Sequence, residues 1–192
     1  MNFYFLLFDK FETLDLFGPV EIFGRIPDAR LNYISMKGGI ITSAQGTQIL
    51  TQKAPKLPDD AVLVVPGGRG TRPLVKDTDF LAGLKDLADS AANVLSICTG
   101  SALLAAAGVL VNVKATSNKY AFEWVTSTGD VVWIRKARWV HDGRFYTSSG
   151  VSAGIDMALG FVADHYGLDV AKANAQKAGY IWNEDSEVDP FT

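Results

Sequence analysis

Cys98 is the single cysteine of the chain, and it stands where a nucleophile would be presented. The residues before it, Asn93-Val94-Leu95-Ser96-Ile97, make a short apolar run that reads as a buried strand. Those after it, Thr99-Gly100-Ser101-Ala102-Leu103-Leu104, are small at first and then helical in pattern. A strand that turns sharply into a helix is a nucleophile elbow, which holds its central side chain out at a sheet edge. The first helical N–H groups lie beside such a sulfur, and the positive helix end favours thiolate over thiol. The thiol is therefore expected to titrate below the free value of about 8.5. A free cysteine is also among the residues most often buried for packing alone. The strand-turn-helix setting and the small residues Thr99, Gly100 and Ser101 weigh toward chemistry.

Other polar residues follow apolar runs in the same way. After Phe3–Phe8 comes Asp15, flanked by Leu14 and Leu16 and just ahead of Gly18-Pro19, a pair that reads as a helix start. After Ala61–Val65 comes Pro66-Gly67-Gly68-Arg69-Gly70, whose bare backbone N–H groups can face a substrate. In open α/β sheets, ligands bind at the carboxyl ends of the strands, so these positions converge on one edge. Each has a plainer alternative: Asp15 as a helix cap, and Gly67-Gly68 as a tight turn. No Gly-Lys-Ser/Thr follows the glycines, so they do not form a phosphate loop. Glu12 and Glu21 read as solvated or capping carboxylates. The convergence makes the site, not any one residue.

Histidine is the usual base for a cysteine nucleophile, and the chain has two. His141 falls in a predicted hairpin turn, and His165 lies near the end of a helix beginning around Ser152, where an imidazolium suits the helix C-terminus. Neither has an evident path to Cys98, so a Cys/His pair is disfavoured. No cysteine cluster and no histidine pair at ligand spacing is present, and neither a metal nor a cofactor is expected.

The elements that must carry these residues follow from periodicity. Phe3–Phe8, Ala61–Val65 and Val94–Ile97 are continuously apolar, as buried parallel strands are, and Leu31–Met36 is a fourth candidate. Phe80, Leu84, Leu87 and Ala91 form one helical stripe. Ile155, Ala158, Leu159 and Val162 form another, and Met157 and Phe161 make that helix apolar on a second side. Alternating strand and helix predicts a doubly wound α/β fold. Ile40–Thr51 and Val131–Thr147 break the alternation as hairpins, the second turning at His141-Asp142-Gly143. At 192 residues, with no repeat or linker, one domain spanning 1–192 is expected.

A net charge of −3 and the lack of a Lys/Arg block argue against a nucleic-acid partner. No stretch approaches the ~20 apolar residues of a membrane span. The apolar N-terminus lacks a basic region and a cleavage site, so it reads as a strand and not a signal peptide. A lone cysteine forms no internal disulfide, which suits a reducing cytoplasm.

Several segments together resemble the ThiJ/PfpI superfamily of class I glutamine amidotransferase-like proteins, and within it the isonitrile hydratase-like branch. They are Leu14-Asp15-Leu16-Phe17-Gly18-Pro19-Val20-Glu21, Val64-Val65-Pro66-Gly67-Gly68, Ser96-Ile97-Cys98-Thr99-Gly100-Ser101, Tyr146-Thr147-Ser148-Ser149-Gly150 and Trp182-Asn183-Glu184. The resemblance implies a flavodoxin-like three-layer sandwich, a mostly parallel central sheet with Cys98 on the elbow, and a homodimer. It implies Asp15 as the acidic partner of Cys98. Where other branches carry a histidine after the elbow helix, this chain has Thr116-Ser117-Asn118, which puts peptidase-like activity in doubt. Relatives also occur as sensors ahead of AraC-type DNA-binding domains, and the sequence to Thr192 leaves no room for one.

The implied activity is hydration of an isonitrile, a small-molecule substrate, to an N-substituted formamide. Cys98 would be the nucleophile, Asp15 the acid and base, and N–H groups around Gly67, Gly68 and Thr99 would steady developing charge. The same parts suit glyoxalase- or deglycase-like addition to reactive carbonyls, and an oxidisable Cys98 suits redox or electrophile sensing. The acidic run Glu184–Asp189 is expected either to rim the pocket or a partner, or to be a solvated tail.

Overall fold

The computed structural model describes residues 1–192. In chain order the elements are β1 (Asn2–Leu6), α1 (Thr13–Phe23), β2 (Arg30–Ser35), β3 (Gly39–Thr42), β4 (Gln48–Lys53), β5 (Ala61–Val65), α2 (Thr71–Leu74), α3 (Thr78–Ser90) and β6 (Asn93–Ile97). Then follow α4 (Gly100–Ala106), β7 (Lys114–Ala115), α5 (Phe122–Thr126), β8 (Val132–Trp133), β9 (Trp139–Asp142), β10 (Phe145–Ser148), α6 (Ala153–Tyr166) and α7 (Leu168–Lys177).

Eight strands form one sheet in the order β3-β4-β2-β1-β5-β6-β10-β9. It is parallel except at its edges, where β3–β4 and β9–β10 are antiparallel. β5 and β6 are buried along nearly their whole length, which is why they are apolar without alternation. Helices cover both faces. On one, Phe3 stacks on Phe23 of α1 (4.2 Å) and meets Phe161 of α6 edge-on. On the other, Phe8 packs edge-on against Phe80 of α3. This is the expected flavodoxin-like α/β sandwich. The chain leaves β1 for β2 on one side and later returns to β5 on the other, so a switch point opens between β1 and β5.

Both expected hairpins form, with two local corrections. His141 lies within β9, opposite Tyr146 of β10, and the turn falls at Gly143-Arg144. The segment before it makes β8, which pairs with β7 in a separate two-stranded sheet. The Gly18-Pro19 pair does not begin α1. That helix starts at Thr13, and Pro19 lies inside it. What the glycine supplies is close packing: a Cβ on Gly18 would come within 2.8 Å of Ile155 in α6. No helix is long and apolar enough to cross a membrane.

Candidate active site

The elbow forms as the residues predict. β6 ends at Ile97, α4 begins at Gly100, and Cys98 takes φ +55°, a left-handed conformation uncommon for a residue with a side chain. Such a conformation persists where the surroundings over-determine it. Here the Cys98 N–H donates to the Ser148 carbonyl of β10 (3.1 Å). The Cys98 carbonyl accepts the Ser117 (2.9 Å) and Ser101 (3.2 Å) hydroxyls. Three glycines make room. A Cβ on Gly67 or Gly150 would meet Cys98 Cβ at 2.9 and 2.4 Å, and one on Gly100 would meet the Val65 carbonyl at 2.3 Å.

Asp15 is fully buried in the first turn of α1. It does not cap its own helix: Oδ2 accepts the Gly67 N–H across the switch point at 2.8 Å. Oδ1 is buried without a settled partner. Gly67, which donates to Oδ2, also lies against Cys98, so the carboxyl and the thiol flank one glycine, and the charge of Asp15 raises the proton affinity of the thiol. The start of α1 is capped from outside. Gln45, at the tip of the β3–β4 hairpin, accepts the Thr13 N–H (3.1 Å) and donates to Glu12 (2.7 Å). That hairpin, read in the sequence only as an interruption, fixes the turn that carries Asp15.

The glycine turn after β5 is pinned to the loop after β1. Phe11 pairs with Gly68 as an isolated bridge, and Glu12 N–H donates to the Gly67 carbonyl (2.9 Å). Gly68 N–H donates to Thr99 Oγ1 (3.0 Å), which also accepts the Thr71 hydroxyl (3.2 Å). In this state the Gly67 N–H is committed to Asp15 and the Gly68 N–H to Thr99. An open groove of about 850 Å³ runs beside the turn, lined by Lys10, Thr42, Arg69 and Gly70 among others, and Cys98 is not among its walls.

Electrostatics correct one expectation. Burial pushes the Cys98 thiol up, and the negative charge of Asp15 pushes it the same way; the Thr99 N–H and hydroxyl oppose both and do not prevail. The expected lowering by the helix end is outweighed because the sulfur gives up nearly all its water, Cys98 being only 6% exposed. Burial likewise holds the Asp15 carboxyl well above the usual carboxylate range. The Gly67 N–H pulls the other way, and the nearby Glu12 adds to the rise. The charge of one acid shifts the other, so the two titrate as a pair.

The histidines lie elsewhere. His141 stacks on Tyr146 (4.0 Å) with Nδ1 3.2 Å from Asp164, and His165 stacks on Phe161 (4.1 Å). Three residues that sequence reasoning passed over stand behind the elbow: Ser117, Ser149 and Asp189. Of the run Glu184–Asp189, expected either to rim a pocket or partner or to be solvated, Glu184, Asp185 and Glu187 are exposed, and Asp189 alone is buried, at 4% exposure. Asp189 carried no signal of its own, being one acid in an acidic run.

The comparisons with known proteins bear on the family and the fold. The model of the DJ-1/PfpI family matches residues 1–164. The isonitrile hydratase of Pseudomonas putida is 36% identical over 169 residues, covering 88% of this chain and 73% of that protein. The crystal structure of a ThiJ/PfpI family protein from Pseudomonas syringae superposes with a TM-score of 0.83 at 30% identity, over 93% of this chain and 74% of that one. Drosophila melanogaster DJ-1beta shares the fold at 18% identity, with a TM-score of 0.79 over 94% of this chain and 98% of its own. The chain belongs to the DJ-1/PfpI family.

Proposed function

We propose that the protein hydrates an isonitrile to the corresponding N-substituted formamide, with Cys98 as nucleophile and Asp15 as general acid and base. The observation that carries this reading is the 36% identity to an isonitrile hydratase across most of the chain. The pairing of a buried thiol with a buried carboxyl, with no histidine in reach, supports it.

The reactive form is the pair with a single proton, thiolate beside carboxylic acid. Sulfur attacks the terminal isonitrile carbon, and an S–C bond forms as the carbon–nitrogen triple bond becomes a double bond. Asp15 delivers its proton to that carbon, giving a thioimidate and a carboxylate. The carboxylate takes a proton from water as the hydroxyl adds to the carbon, then passes it to nitrogen. It next takes the proton of the new hydroxyl as the C–S bond breaks. The formamide leaves, and thiolate and carboxylic acid are restored. Substrate and water are the only reactants consumed.

Burial suits this cycle. A carboxyl whose affinity for protons is raised by burial can both give and take one, which an ordinary aspartate near ~3.9 does poorly. Thr99 N–H, which opposes the rise in the proton affinity of the thiol, is the donor that would steady charge there. A panel of isonitriles and dicarbonyls, run with wild type and Cys98→Ser, tests the reading. Many turnovers on isonitriles, lost in the variant, are expected. Turnover confined to dicarbonyls, or a single reaction per Cys98, would sink it.

A further inference from the structure

We propose that Asp189, on the C-terminal segment, is a positioning residue for Cys98: it ties together the two backbone segments that frame the elbow. The inference rests on the reading of Cys98 as the reacting group. One segment is Ser148-Ser149-Gly150. Ser148 accepts the Cys98 N–H (3.1 Å), and Gly150 lies so close that a Cβ there would overlap Cys98 Cβ. Between them, the Ser149 hydroxyl donates to Asp189 Oδ2. The other segment is Thr116–Lys119. Ser117 donates to the Cys98 carbonyl (2.9 Å), Thr116 N–H donates to Thr147 Oγ1 (2.8 Å), and Lys119 Nζ donates to Thr116 Oγ1 (2.8 Å). That ammonium lies 3.9 Å from Asp189 Oδ2. The peptide of Cys98 is thus held at its N–H by one segment and at its carbonyl by the other, and both lead back to one carboxylate.

The rest of the cluster is built around that carboxylate. Asp189 Oδ1 lies 3.5 Å from Arg138 Nη1, and Arg138 Nε donates to Asp156 Oδ2 (2.7 Å). Two buried cations therefore face two buried anions. The segment's backbone is fastened too: Asp189 N–H donates to the Lys136 carbonyl (2.8 Å), and Ser186 accepts the Arg138 N–H (2.8 Å). Burying an ion pair is a poor way to gain stability when apolar residues could fill the space, and such pairs serve better to set register. The register at stake here is the left-handed backbone of Cys98.

The single cysteine allows a direct test that consumes no isonitrile. Iodoacetamide alkylation of Cys98 is followed from about pH 6 to pH 10 in wild type, Asp189→Ala, Ser149→Ala and the distant control Arg144→Ala. Arg144 donates to the Ala88 and Ala91 carbonyls, so its loss costs stability away from the elbow. Once the frame loosens, water reaches the sulfur. The apparent thiol pKa is then expected to fall by about 0.5 or more in the Asp189 and Ser149 variants, and alkylation near neutral pH to rise about threefold. Arg144→Ala should melt earlier and titrate like wild type. A wild-type titration in folded Ser149→Ala, or an equal shift in Arg144→Ala, would overturn the proposal. Should Asp189→Ala not fold, Ser149→Ala decides. A wild type without turnover would sink the hydratase reading and leave this result standing. An active enzyme with an unmoved Ser149→Ala titration would do the reverse.

Discussion

At the scale of single residues, the proposed chemistry rests on two acids whose proton affinities the fold raises. Cys98→Ala is expected to abolish turnover while changing stability by only about 1–2 kcal/mol, because one small side chain replaces another. Full activity in that variant, measured by formamide release, would end the nucleophile reading. Asp15→Asn keeps the size and the acceptor for Gly67 but cannot exchange a proton, and a loss of ~100-fold or more in turnover is expected. The same variant has a stability signature. The folded proton affinity of Asp15 lies above its unfolded value of about 3.9, so its contribution is complete below that pH and is lost as pH climbs toward the folded value. Asn does not titrate. Urea unfolding should therefore show Asp15→Asn gaining on wild type as the pH rises from about 4. A constant difference over that rise would mean that the carboxyl is not held neutral.

At the scale of elements, close approach governs what the loops tolerate. Gly150 adopts φ +73° with no space for a Cβ, whereas Gly143 in the β9–β10 turn adopts φ +61° with nothing within 4 Å. Gly143→Ala should cost only the left-handed strain of about 1–2 kcal/mol. Gly150→Ala adds a collision with Cys98 to the same strain and should cost clearly more, about 3 kcal/mol or beyond, with turnover lost. Denaturant titrations of the two variants side by side check this, and equal costs would refute the crowding at the elbow. The β3–β4 hairpin acts through a different contact, since Gln45 caps the helix that carries Asp15.

At the scale of the whole molecule, the parallel sheet collects at one edge residues from α1, the β5 turn, the elbow and the C-terminal segment. It leaves both histidines on the far side of β10, against α6. His141→Gln and His165→Gln should each keep most of the activity. The His141–Asp164 contact is close to half exposed, so its loss should cost no more than about 1 kcal/mol. Collapse of activity in either variant, with the circular dichroism of a folded protein, would show that an imidazole reaches the site after all.

Much of this architecture was legible in the residues themselves. Continuous apolar runs marked β1, β5 and β6, the stripe Phe80-Leu84-Leu87-Ala91 marked α3, and small residues after an apolar run marked the elbow at Cys98. These signals are local, because side-chain period and turn chemistry are properties of adjacent residues. The start of α1 was misread at Gly18-Pro19, since the glycine answers to Ile155 on α6, far along the chain. The direction of the Cys98 titration was misread because a helix end is visible in sequence and burial is not. Asp189, Ser149 and Ser117 could not be found at all as supports of the elbow. Their roles come from contacts between segments separated by tens of residues, and an aspartate in an acidic run looks solvated until the fold closes over it. The kinds of strand and helix and the turn that seats Cys98 follow from neighbouring residues along the chain; which acids lose their water follows from contacts that form only when distant segments close over one another.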